Sequence, residues 1–140
     1  MSATAICGSC TCERVRFELK QPVNWVAHCH CSNCRRAHGA GSVTYAGAPR
    51  ESLRFTAGEE LLTRFEADTG SWRRFCSHCG STLTFEGARW PGEVHVIVAN
   101  LLEPLDKLPE GHAYSDRAPD WFPITDNLPC YGGDSGTEAI

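Results

Sequence analysis

The sequence predicts an all-β fold of short antiparallel strands, and three observations carry that prediction. Apolar and polar residues alternate with a period of two in several short runs, as half-buried strands require. Turn-forming Gly, Pro and Asp separate those runs at intervals of ~10 residues, the spacing of a sandwich, barrel or similar folded sheet. Tight cysteine groups stand where extended segments meet turns, the places at which zinc knuckles form.

Taken in order, Arg14 to Leu19 alternates and reads as a strand, and Gln21-Pro22 breaks it. Trp25-Val26-Ala27 restarts an extended segment that leads into His28-Cys29-His30-Cys31-Ser32-Asn33-Cys34-Arg35. Arg35 to His38 has room for one helical turn, closed by Gly39-Ala40-Gly41. Ser42 to Tyr45 is strand-like, and Gly47-Ala48-Pro49 reads as a turn. Leu53 to Thr56 and Leu62 to Phe65 are strands around a turn at Gly58-Glu59-Glu60. Asp68-Thr69-Gly70 turns the chain into Ser71 to Phe75, which delivers Cys76. Leu83 to Phe85 leaves that knuckle, and Glu93 to Val98 is the strongest strand. Beyond Leu101 the prolines at 104, 109, 119, 123 and 129 exclude long regular elements. That tail is expected to wrap the sheet through Trp121 and Phe122 and to fray from Gly132 onward.

The 140 residues suffice for one domain over 1–140, with a core from about 7 to 131. A net charge of −4 with no Lys/Arg run excludes the broad electrostatic attraction on which nucleic-acid binders rely. No apolar run approaches the ~20 residues of a membrane helix. Nothing at the start reads as an export signal. The expectation is a soluble, cytoplasmic protein.

Nine cysteines then point to metal rather than disulfides, because cytosolic thiols stay reduced and close neighbours suit chelation. A C-x-C pair on an extended strand presents both thiols on one face. A C-x-x-C turn gathers its two at a knuckle, and Gly80 follows Cys79 where a left-handed residue is wanted. Cys10 and Cys12 joined to Cys76 and Cys79 make a closed four-sulfur zinc site with a folding role. Cys7 and Cys130 read as small apolar fillers, although Cys7-Gly-Ser-Cys10 has knuckle spacing that competes with Cys12.

Cys29, Cys31 and Cys34 supply three thiolates to a second zinc. Either His28, His38, Cys7 or Cys130 closes that site as a fourth protein ligand, or the position stays open to substrate. Three thiolates more than cancel the charge of the ion, which makes it a weak generator of hydroxide. An incoming soft thiol suits it better, and carbon–sulfur bond formation or cleavage is the natural reaction class. Arg35 and Arg36 offset the surplus negative charge, as would His30 or His38, and Arg35 can take a carboxylate of an acidic thiol such as glutathione. No general base stands out among Glu13, His30, His38 and Asp68.

The order Gly8-x-Cys10-x-Cys12-x-x-Val15-x-Phe17, Cys29-His30-Cys31-Ser32-x-Cys34-Arg35, Gly39-Ala40 and Arg74-Phe75-Cys76-x-x-Cys79-Gly80-Ser81 resembles the glutathione-dependent formaldehyde-activating enzyme family. That family also includes centromere protein V. The tail resembles it in His112, Ala118-Pro119-Asp120-Trp121-Phe122 and Asp126-Asn127-Leu128-Pro129. The resemblance covers roughly residues 7 to 131. It implies a β-tent fold, a structural zinc on Cys10, Cys12, Cys76 and Cys79, and a substrate-site zinc on Cys29, Cys31 and Cys34, two per chain. It also implies addition of glutathione to formaldehyde to give S-hydroxymethylglutathione. Glu13 departs from the pattern, standing where the family often has glycine.

Two function classes follow. One is a zinc-dependent carbon–sulfur lyase acting on a glutathione-type adduct, with Arg35 and His30 as substrate-binding residues. The other is a non-catalytic interaction module with both zincs structural. Nucleic-acid binding, suggested by the centromeric relative, conflicts with the acidic charge.

Overall fold

The structure, a computed structural model, describes residues 4–140. Strands dominate them, with a single α-helix among the described residues. The strands are β1 (Ala5–Ser9), β2 (Arg16–Lys20), β3 (Trp25–Cys29), β4 (Val43–Pro49), β5 (Leu53–Ala57), β6 (Leu62–Glu66), β7 (Ser71–Cys76), β8 (Thr82–Gly87) and β9 (Glu93–Ile97). The short pairs β10 (His112–Ala113), β11 (Tyr131–Gly132) and β12 (Glu138–Ala139) follow, and α1 spans Ser32–His38. The expected all-β class holds. No described helix is long and apolar enough to cross a membrane.

The chain divides into two compact units. Of the described residues, the first comprises 4–24 and Ala46–Lys107. Within it β1, β2 and β5 form an antiparallel sheet in that order. Leu19 and Phe17 point inward from β2 while Arg16 and Lys20 face water, the two-residue period that the sequence shows. Gly8 lies opposite Phe17, and a Cβ there would run into the Phe17 ring. The same unit carries the antiparallel order β9-β8-β7-β6, with Leu83, Val94 and Val96 fully buried. Glu86 is buried too, held by Arg50 at 2.6 Å and by Trp72 Nε1 at 3.2 Å.

The second unit comprises Trp25–Tyr45 and Leu108–Ile140. Here β3 pairs in parallel with β10, so that His112 lies opposite His28 and Ala113 opposite Cys29. The tail is tied down by its backbone: Glu110 N–H donates to Val26 O at 2.8 Å, and His112 N–H to Pro129 O at 2.9 Å.

Several local expectations fail for identifiable reasons. Gly47-Ala48-Pro49, expected as a turn, continues β4, because Gly47 O accepts the Asn24 N–H at 2.7 Å and Ala48 is buried. Pro49 is the last residue of that strand, where its missing N–H costs least. The last strand of the first unit stops at Ile97, since Leu101 N–H closes a tight turn onto Val98 O. Trp121 is 69% exposed rather than an anchor, and Phe122 packs over Gly41. The end expected to fray carries the antiparallel pair β11–β12.

Candidate functional site

Among the described residues one cysteine cluster able to hold a metal forms, in the first unit, and the second unit brings Cys29 and Cys34 together with Cys31 between them in sequence. In the first, β1 ends at Ser9 and the chain turns back on itself: Glu13 N–H donates to Cys10 O at 3.1 Å, and Cys10 N–H to Val15 O at 3.1 Å. Cys10 and Cys12 therefore sit in a turn, not on the extended strand that the C-x-C spacing suggests. Glu13 takes φ 67° to complete it, the conformation for which glycine is the usual choice. The second pair comes from the end of β7, where Gly80 N–H returns to Cys76 O at 2.8 Å. Gly80 is left-handed at φ 83°, as its place after Cys79 predicts.

These turns bring Cys10, Cys12, Cys76 and Cys79 together, with all four sulfurs within 4.8 Å of one another. Cys10 Sγ lies 3.5 Å from Cys12 Sγ, and Cys12 Sγ 3.8 Å from Cys76 Sγ. Four sulfurs ~2.3 Å from one central ion stand about 3.8 Å apart, so the cluster fits a tetrahedral metal. Donors already face the sulfurs: Val15 N–H reaches Cys10 Sγ at 3.3 Å, and the Ser81 hydroxyl lies 3.2 Å from Cys79 Sγ. Burial raises the Cys79 thiol, but hydrogen bonds from Ser81 and neighbouring groups bring it down to about 5. The Arg14 N–H lowers Cys12, whereas burial and the three companion thiols push it up to about 11. Protons in this cluster are thus unequally held, and an ion displacing them removes the conflict.

The second group sits where β3 runs into α1. Cys29 closes the strand, Cys31 caps the helix and Cys34 lies one turn in. Cys29 and Cys34 sulfurs are 3.5 Å apart. Its thiol neighbours Cys29 and Cys34 pull the Cys31 thiol far below its ordinary value, while Cys31, Cys34 and burial drive Cys29 up. Tyr45 O–H donates to Cys34 Sγ at 3.3 Å. Gly39 at φ 61° ends the helix, as the glycine cluster predicts.

The histidines take other partners. His28 Nδ1 lies 2.7 Å from Thr44 Oγ1, and the His38 ring meets Tyr45 edge-on. His30, 2% exposed, places Nε2 2.8 Å from His112 Nδ1. Burial and then the adjacent His112 hold its pKa down to about 4. Arg35 donates from Nε to His30 O at 3.2 Å and from Nη2 to Arg117 O at 3.3 Å, while Arg36 turns to Asn33 at 3.1 Å. Cys7 and Cys130 are exposed rather than filling the interior. Cys7 is on the outward face of β1, alternating with buried Ile6 and Gly8.

Residues 5–117 match the glutathione-dependent formaldehyde-activating enzyme family. The chain belongs to that family. A protein of Halomonas elongata, provisionally named a glutathione-dependent formaldehyde-activating enzyme, is 31% identical over 124 residues, which cover 84% of this chain and 79% of that one. The crystal structure of a Rhodobacter sphaeroides protein aligns with a TM-score of 0.60 at 29% identity, over 72% of this chain and 92% of its own. In this member of the family, spacing alone did not reveal three further residues of the second unit. Tyr45 reads as an ordinary strand residue, and His112 and Asp126 gain meaning only through the pairing of β10 with β3. No local signal marks them beyond the tail resemblance.

Proposed function

We propose that the protein is a zinc-dependent carbon–sulfur lyase that joins glutathione and formaldehyde as S-hydroxymethylglutathione and takes the adduct apart again. The observation that carries this reading is the 3.5 Å approach of the Cys29 and Cys34 sulfurs where β3 runs into α1, with Cys31 between them in sequence, in a chain whose family is named for this chemistry. Two zincs per chain are part of it. Cys10, Cys12, Cys76 and Cys79 would hold the structural ion, and Cys29, Cys31 and Cys34 would hold the other, with a fourth position for substrate. Zinc bound there keeps an incoming thiol ionised at neutral pH.

In the reaction, the sulfur lone pair attacks the carbonyl carbon and a C–S bond forms. The C=O π pair moves to oxygen, which takes up one proton while the thiol has given one up; nothing is oxidised or reduced. Arg35 is held by two backbone carbonyls, and the N–H groups this leaves over would take a glutathione carboxylate. His30 is the second substrate-binding residue. All nine cysteines are free, in keeping with a reducing compartment, and we place the protein in the cytoplasm.

An exchange experiment by NMR with glutathione and formaldehyde tests this reading. Interconversion should run well above the uncatalysed rate and fall to it with Cys34→Ser. No acceleration by zinc-loaded protein sinks the lyase. The second reading, an interaction module with two structural zincs, draws on the exposed Trp121. It requires that mild chelation remove neither ion, whereas the lyase predicts that one of two is labile.

A further inference from the structure

The lyase reading uses His30 but not the polar chain behind it in the second unit, which runs from buried His30 and His112 to the half-exposed Asp126. His28 and His30, two residues apart, both place their rings against His112, with centroids 5.2 and 5.0 Å away. His30 Nε2 lies 2.8 Å from His112 Nδ1, and His112 Nε2 lies 2.8 Å from Asp126 Oδ1. That carboxylate oxygen also accepts the Leu128 N–H at 3.0 Å. His30 is 2% exposed and His112 4%.

The direction of each bond follows from what each atom can donate. A carboxylate has no proton to give, so His112 Nε2 carries the hydrogen. A neutral His112 then presents a bare lone pair at Nδ1, and His30 must supply its own hydrogen from Nε2. His30 Nδ1 is left without a proton. That atom is buried and has no hydrogen-bond partner, whereas buried polar atoms are nearly always paired. It is an acceptor without a donor, on the residue between Cys29 and Cys31.

We propose that Asp126 and His112 are positioning residues that lock His30 as its Nε2–H tautomer, so that Nδ1 accepts a hydrogen bond from the hydroxyl of a thiol–aldehyde adduct held at the Cys29–Cys31–Cys34 cluster. The proposal rests on the lyase reading for the identity of the adduct and on the hydrogen-bond chain for the role of the residues. Free glutathione has no such hydroxyl, so the acceptor distinguishes adduct from thiol. Second-shell partners of this kind fix which ring nitrogen is available.

The test uses the zinc-loaded protein with 15N-histidine, whose long-range 1H–15N correlations report the tautomer of each ring. His30 should carry its hydrogen on Nε2. Its Nδ1 resonance should shift with glutathione and formaldehyde together and stay unmoved with glutathione alone. His112→Phe keeps a buried ring but removes both nitrogens; His30 should then populate both tautomers, with kcat lowered on the order of 10–100-fold and KM within about twofold. Asp126→Leu, at a more exposed position, should do the same to a smaller extent should the Phe variant not fold. Asp126→Asn, which keeps an acceptor oxygen, should restore most of the rate.

A native His30 protonated at Nδ1 overturns the proposal, and so does a tautomer indifferent to both His112→Phe and Asp126→Leu. A bare Nδ1 that the adduct fails to move overturns the acceptor role. A native protein without turnover whose Nδ1 still answers the adduct supports the assignment and removes the lyase reading instead.

Discussion

The two cysteine clusters use similar chemistry and differ in how much chain they close. Cys12 and Cys76 meet across 64 positions, whereas Cys29 and Cys34 are 5 apart. Closing a longer loop withdraws more entropy from the unfolded chain, and the ratio of 64 to 5 is worth about 2 kcal/mol by (3/2)RT ln n. An ion on the first cluster ties β1 to the end of β7. An ion on the second fastens residues that one strand end and the first turn of α1 already bring together. A metal bound at the first cluster would therefore bear on folding far more than one bound among Cys29, Cys31 and Cys34.

The largest expected effect tests the first half of that contrast. Cys76→Ser should unfold the first unit or leave it molten, because structural zinc of this type contributes on the order of 10 kcal/mol. Loss of cooperative thermal unfolding, together with loss of near-UV dichroism, is the expected reading. A sharp, near-native transition in Cys76→Ser would mean that β1, β2 and β5 hold without the metal.

Cys34→Ser tests the other half. Metal analysis should fall from two ions to one, the melting temperature should drop by only a few degrees, and turnover should vanish. A collapse as severe as that of Cys76→Ser would place both ions in the folding role and favour the interaction module. Tyr45→Phe sharpens the same point at smaller scale. Removing a hydrogen bond to a charged sulfur costs about 1.5–3 kcal/mol, and here it weakens the second ion alone. Zinc should leave that variant faster under chelation while the first ion stays.

How much of this was legible in the sequence depends on the range of the interaction. The strands were visible because alternation is local, and β2, β5, β6 and β7 fall close to their expected places. The knuckle at Cys76–Cys79 was visible because Gly80 announces its left-handed turn. The turn at Cys10–Cys12 was marked only by the resemblance, which puts glycine where this chain has Glu13 at φ 67°; no residue of the chain itself announces it. The strand through Gly47 and Pro49 was also hidden, because the partner that overrides their turn preference is Asn24, far back in the chain. The His30–His112–Asp126 chain joins residues 82 and 14 positions apart. Only a parallel pairing of two short strands brings them together, and no periodicity encodes that.

The smallest expected effect concerns that hidden turn. Glu13 at φ 67° carries the left-handed cost of a side chain, roughly 1–2 kcal/mol. Its compensation is a 2.8 Å ion pair with Arg16 on an open surface, the kind that contributes little or nothing measurable. Glu13→Gly relieves the strain and gives back part of the gain by loosening the unfolded chain, for a net stabilisation of about 0.5–1 kcal/mol. A rise in the denaturation midpoint with an unchanged slope would show it, and metal content should stay at two. Because the turn belongs to the cluster that closes the long loop, its strain bears on global stability; turnover at Cys29, Cys31 and Cys34 should not change. A Glu13→Gly variant less stable than the parent would mean that the Arg16 pair, rather than the backbone, holds the turn that presents Cys10 and Cys12.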